Sequence, residues 1–99
     1  MYHWTAINIV VEGDHIIIPA NVGKHIVVFA ACFTVSKAVI VTWKSGPDII
    51  IPPMTFTDGG GFWVPRAVNY VAKIAHNMPL VFNTNAKSDV SGYLEYGWG

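Results

Sequence analysis

Charge is what this sequence has least of. Six basic and six acidic residues make up 12% of its 99 residues, against about 25% in ordinary soluble domains, and they cancel to a net charge of zero. With no excess of either sign there is no long-range field to gather nucleic acid or an anionic membrane, and neither is expected as a partner. Cysteine is nearly absent as well. The single Cys32 excludes an internal disulfide, and its place inside an apolar run reads as a small buried hydrophobe rather than a reactive thiol. That run, 26–33, is the longest unbroken apolar stretch, and it is far shorter than the about 20 residues a helix needs to cross a bilayer. The opening "MYHWTAINIV" has neither a basic stretch nor a small-residue cleavage site, so no signal peptide is read there. The chain is expected to stay where it is made, or to leave inside a larger particle.

The residues that are present favour strands. Isoleucine and valine number 24 and threonine six, side chains that are stiff at χ1 and fit a pleated surface. One domain is expected over 1–99, with 1–23 an N-terminal strand or arm region carrying strands at 5–11 and 15–19. The stretch "HIVVFAACFTV" (25–35) is apolar on both faces, as in a strand covered on both sides or lying in a subunit interface. Ser45-Gly46-Pro47-Asp48 is a turn signal, which makes 38–44 and 49–56 an expected hairpin. Pro52 and Pro53 place its second strand at a sheet edge, since proline donates no ladder hydrogen bond. Alternation over 80–86 and 90–98 predicts a second hairpin around "KSD". Only 66–77, "RAVNYVAKIAHN", has helix-like spacing, enough for one or two turns or for irregular chain. Seven or eight short strands divided by turn residues predict an all-β fold, a small antiparallel β-sandwich of jelly-roll type.

Catalytic and cofactor motifs are missing. The run "TDGGGFWVP" (57–65) lacks the Gly-Lys-Ser/Thr of a phosphate loop and leads into strand-like residues, so its glycines read as a hairpin or bulge. His3, His15, His25 and His76 form no close pair in sequence, and zinc sites usually show local spacing. Glu12 and Asp14 lack the further ligands of a calcium loop, and the carboxylates fall mostly in expected turns, where aspartate bonds its own backbone. No catalytic residue, cofactor or metal site is expected, and the protein does not read as an enzyme.

Aromatic residues are the remaining signal. Trp4, Trp43, Phe62, Trp63, Tyr93, Tyr96 and Trp98 exceed what so small a core needs, which suggests that some are buried between subunits or stack on sugars. "KHIVVFAACFTVSKAVIVTWKSG", "IIPPMTFTDGGGFWVPR" and "PLVFNTNAKSDVSGYLEY" together resemble a family of small proteins from the structural gene clusters of tailed bacteriophages. The likeness runs over 24–98, departing at "AVNYVAKIAHNM", where the family has a shorter segment. It implies a virion protein, a decoration or cement protein on the capsid surface, assembled in the host cytoplasm as a homotrimer and bound to the major capsid protein. A tail, fibre or spike component and a small carbohydrate-binding β-sandwich are the alternatives. Tyr2, Trp4, Phe62, Trp63, Tyr93 and Trp98 are the candidate interface or docking residues.

Overall fold

The computed structural model describes residues 3–65 and 70–99, and among these there is no helix. Nine strands follow in chain order: β1 (His3–Ile9), β2 (Gly13–Ile18), β3 (Ile26–Val35), β4 (Val39–Ser45), β5 (Asp48–Phe56), β6 (Gly61–Val64), the two-residue β7 (Ala72–Lys73), β8 (Leu80–Thr84) and β9 (Val90–Trp98). They form two antiparallel sheets. Sheet A runs β1-β9-β3-β6, with β7 also on β3, and sheet B runs β2-β8-β4-β5.

The pairing has a simple order. Starting from the turn between β4 and β5 and moving outward along the chain, β4 pairs β5, β3 pairs β6, β2 pairs β8 and β1 pairs β9. A chain doubled back on itself and then rolled into two facing sheets is a jelly-roll sandwich. Its core lies between the sheets because alternate residues point there. On β3, Ile26, Val28, Ala31, Phe33 and Val35 are buried, with a register shift between Val28 and Ala30 keeping both halves of the strand turned inward. Val41, Trp43, Leu80 and Phe82 meet them from sheet B. The Trp43 and Phe82 rings sit 4.6 Å apart, and Phe33 contacts Phe56, Phe62 and Phe82 at 5.4–6.0 Å.

The hairpin expected at 38–44 and 49–56 is present, turning at Gly46 with a φ of 57°, and β5 with its two prolines is an edge strand. The second expected hairpin is absent. β8 belongs to sheet B and β9 to sheet A, so 85–89 is a corner between layers. Hydrogen bonding explains the choice: Ser88 Oγ accepts from Lys37 N–H (3.1 Å) and donates to the Lys37 carbonyl (2.9 Å), while Ser36 N–H donates to the Asp89 carbonyl (3.0 Å). Two crossing corners, 36–38 and 85–89, hold each other instead of closing a ladder.

The glycine run is a third such corner, not the expected hairpin. It carries the chain from β5 in sheet B to β6 in sheet A. Gly59 takes a φ of 74°, and its N–H donates to the Val35 carbonyl, while Gly60 N–H donates to Thr57. Asp58 Oδ1 accepts from Ala38 N–H at 2.6 Å. These amides are engaged by the chain's own backbone, which leaves the corner unlike a phosphate cradle. Of the helix-like stretch 66–77, residues 66–69 lie outside the described ones; the rest is irregular apart from β7, where Ala72 pairs Val28.

Candidate functional site

Strand alternation sorts the candidate aromatic residues onto two faces. On β6, Phe62 pairs Phe33 and turns inward, half-buried, its ring stacked 5.4 Å from that of Phe33. Trp63, the next residue, must point the other way, and it is 69% exposed. The expected docking pair is therefore split between core and surface. Trp98 pairs Ile26 and packs, half-buried, against the core, with Tyr96 edge-on at 5.6 Å. Tyr2 lies outside the described residues. Phe62 and Trp98 thus pack, half-buried, against the core instead of standing on the outer face of sheet A.

Trp4, Tyr93 and Trp63 all point outward from sheet A. The register sets Ala6 opposite Tyr93, Tyr93 opposite Cys32 and Cys32 opposite Trp63, one row crossing all four strands. Trp4 lies diagonally beside Tyr93 with ring centroids 4.7 Å apart and planes inclined by 38°. Trp63 stands two strands from Tyr93, about 10 Å away at the spacing of neighbouring strands. Trp4 is 65% and Tyr93 37% exposed. The result is an aromatic strip with the small Cys32 between Tyr93 and Trp63 and Ala6 at its β1 end. Cys32 is half-buried on this outer face instead of packed in the core, because the register shift on β3 turns Ala31 and Phe33 inward and Cys32 out.

Few charges share the strip. Glu95 lies on the same face, opposite Trp4 and Ala30, and is buried. Alternation along 90–98 sets Glu95 on the face of Tyr93, as found, whereas Cys32 reads from the sequence as a core residue and is not one. The alternation along β9 and β3 was the available signal, but a shift in β3 cannot be seen without its partner. Sheet B carries a different surface: Asp14 accepts from Lys44 Nζ at 3.1 Å and from Asn83 Nδ2 at 2.8 Å. The Asn83 hydrogen bond first, and then Lys44, hold the Asp14 carboxyl below its ordinary range.

A concavity of about 380 Å³ opens at one end of the sandwich, lined by His25, Ser45, Asp48, Lys73 and His76 over walls of Ile50, Ile74 and Ala75. The fold brings together two histidines that sequence spacing kept apart, with His25 and His76 ring centroids 4.8 Å apart. Loss of hydration, with Lys73 and His76 adding to it, holds the His25 imidazole below its usual range. Its Nδ1 is shut off from solvent with no hydrogen-bond partner among the described residues. No group of three metal-binding side chains occurs among the described residues. Ser45 Oγ accepts from Ala75 N–H at 2.9 Å, and its side chain is buried.

No known protein family, curated protein or solved structure matches the chain.

Proposed function

We propose that the protein is a structural assembly module, which docks through the aromatic outer face of sheet A and, as its sequence resemblance implies, decorates the capsid of a tailed bacteriophage. The observation that carries the docking role is the strip Trp4, Tyr93, Cys32 and Trp63. Two tryptophans left about two-thirds exposed on a flat sheet are costly in water and would be covered in an assembly. Trp and Tyr are also the side chains that concentrate binding energy at interfaces. Many equivalent docking sites on a shell would multiply a modest single contact through avidity. Contact with the major capsid protein belongs to the same proposal; self-association is threefold in proteins of the resembled kind. The jelly-roll topology is compatible with it, since capsid domains use that fold, but fold alone assigns no function.

A second reading has an observation of its own. Lectin domains also use jelly rolls, and the Trp4–Tyr93 pair with Trp63 about 10 Å further along is a platform on which sugar rings could stack.

One variant separates the two. Trp4→Ser combined with Trp63→Ser removes the platform from the surface without opening the core. Under the assembly reading the variant keeps its fold but no longer co-sediments with particles lacking the protein, and alkylation of Cys32 is slowed only when wild type is on the particle. Wild-type protein that ignores such particles, while oligosaccharides quench its tryptophan fluorescence as a monomer, would overturn assembly in favour of sugar binding.

A further inference from the structure

The sandwich has four sheet margins, and three are guarded against pairing with another chain. In β5 the guard is Pro52 and Pro53 plus two register shifts. The strand β2 carries a register shift and the charged Asp14–Lys44 pair. On the far side of sheet A, β6 has four residues and ends at Pro65, and β7 has two. Prolines, bulges, charges and short length are the recognised ways of blunting an edge. The fourth margin, β1, has none of them. Its seven residues, HWTAINI, contain no charge, proline or glycine, and they pair with β9 in unbroken register from His3 to Ile9. Among the described residues, β1 makes no backbone hydrogen bond apart from that ladder. Roughly half of its N–H and C=O groups therefore face outward unpaired.

We propose that this edge is a pairing site for a second copy of the same chain, β1 joining β1 antiparallel about a two-fold axis at Ala6. An outward row of alternating partial positive N–H and partial negative C=O groups is complementary only to another extended strand. An antiparallel two-fold makes β1 complementary to itself, and no formal charge on it opposes the approach. Centring on Ala6, the middle of the strand, keeps all seven residues paired. The small, exposed Ala6 then meets its symmetry mate, and Trp4 stands across from the mate's Asn8 on the outer face. Two sheets A become one continuous sheet, and the two aromatic strips lie on a single surface.

The contact is small. A strand of this length spans about 24 Å, and with a depth of about 10 Å the buried footprint is roughly 500 Å² for both copies, below the about 1,200 Å² of stable complexes. It is thus a weak dimer held mainly by backbone hydrogen bonds. This inference does not rest on the docking role of the aromatic face.

Analytical ultracentrifugation of the whole protein tests it, together with Ala6→Lys, which sets two like charges opposite each other across the axis at a position exposed in the single chain. Wild type is expected as monomer near 1 μM and largely as dimer at several hundred μM, with Ala6→Lys raising the dissociation constant at least tenfold. Amide exchange supplies a readout that folding defects cannot imitate: the outward amides of β1 gain protection as wild-type concentration rises, whereas those of Ala6→Lys do not. A monomer at every concentration would overturn the proposal. So would a trimer, or any oligomer, that Ala6→Lys leaves intact with the β1 amides freely exchanging. That outcome would leave the assembly reading standing without this edge.

Discussion

Adding a single methyl group at Gly92 tests the register on which the aromatic strip depends. In the register β9 holds against β3, a Cβ at Gly92 would collide with the Cys32 carbonyl oxygen and come within 2.5 Å of Phe33 Cα and 2.7 Å of Phe33 Cβ. Carbon atoms in contact normally sit about 3.5–4.0 Å apart, so the strands must separate by about 1 Å or the Phe33 ring must leave its place. Overpacking of this kind costs about 1–3 kcal/mol. Stretching the ladder at that point forfeits about 1 kcal/mol more per hydrogen bond lost. Gly92→Ala is therefore expected to destabilise by about 2–4 kcal/mol, out of the roughly 5–15 kcal/mol available to a domain of this size. At about 4–8 °C per kcal/mol, the melting temperature falls by roughly 8–32 °C. Urea unfolding followed by tryptophan fluorescence measures it, with the buried Trp43 reporting on the core, and an unchanged m-value keeps the comparison two-state. Ser91→Ala, on the exposed face next door, is the control and stays within about 0.5 kcal/mol. A Gly92→Ala protein within that same margin would refute the close β3–β9 approach, and with it the alignment of Tyr93, Cys32 and Trp63.

Adjacent residues on β6 should behave oppositely: Phe62→Ala costs about 2–4 kcal/mol, while Trp63→Ser stays within about 0.5 kcal/mol in thermal melts. Trp43→Phe is expected to cost less than about 1.5 kcal/mol despite the lost volume, because the buried indole N–H has no hydrogen-bond partner among the described residues and its removal relieves a desolvation penalty; a loss above about 3 kcal/mol would show that the group is satisfied after all. Ser88→Ala, which removes two hydrogen bonds of the buried Ser88 hydroxyl to the Lys37 N–H and carbonyl, should lose about 1–3 kcal/mol in urea melts, and a neutral result would deny that the two corners hold each other. His25 has a folded pKa below its unfolded one, so its contribution is fully present above about pH 6.5 and is lost as pH falls towards the lower folded value. With Lys73, His76 and Asp48 lining the same cleft, stability should decline from pH 7 to 5, and less steeply in His25→Asn; equal slopes in the two proteins would count against it.

Much of the fold was legible in the residues, and the failures share one cause. The β4–β5 turn was readable because Ser45-Gly46-Pro47-Asp48 carries its own geometry, and the edge position of β5 because proline lacks a donor. Strand existence followed from alternation in the same way. What alternation cannot tell is which sheet a strand joins. "NAKSD" between β8 and β9 has the composition of a hairpin turn, yet Ser88 bonds to Lys37, far off in sequence, and the strands part. The "TDGGG" corner misleads likewise, since Gly59 donates to Val35, not across its own turn. For the site, period two was enough to place Phe62 and Trp63 on opposite faces once β6 was accepted as a strand. That Cys32 joins the outer row required the register shift in β3, a property of a strand pair, which no single segment announces.

The same pairing order bears on why the exposed aromatic residues collect where they do. Because β1 and β9 close the rolled hairpin last, sheet A contains both ends of the described chain and both strands that deliver Trp4 and Tyr93. Sheet B, formed around the local β4–β5 turn, instead turns an ion pair and polar side chains, Asp14, Lys44, Thr42 and Asn83, to its outer side, beside the exposed but aliphatic Ile16 and Ile49. Two sheets sharing one core thus have outer faces of different character. A sandwich that needed only to remain soluble would have no use for the difference, since polar residues at Trp4 and Trp63 would leave the core untouched. Under the proposed docking, an outer face that is aromatic on one sheet only would orient the molecule, with sheet A towards its partner and sheet B away from it. Docking would leave the Asp14–Lys44 side accessible while shielding Cys32, and thiol alkylation against charge-directed labelling of Lys44 on the bound protein would read that orientation directly.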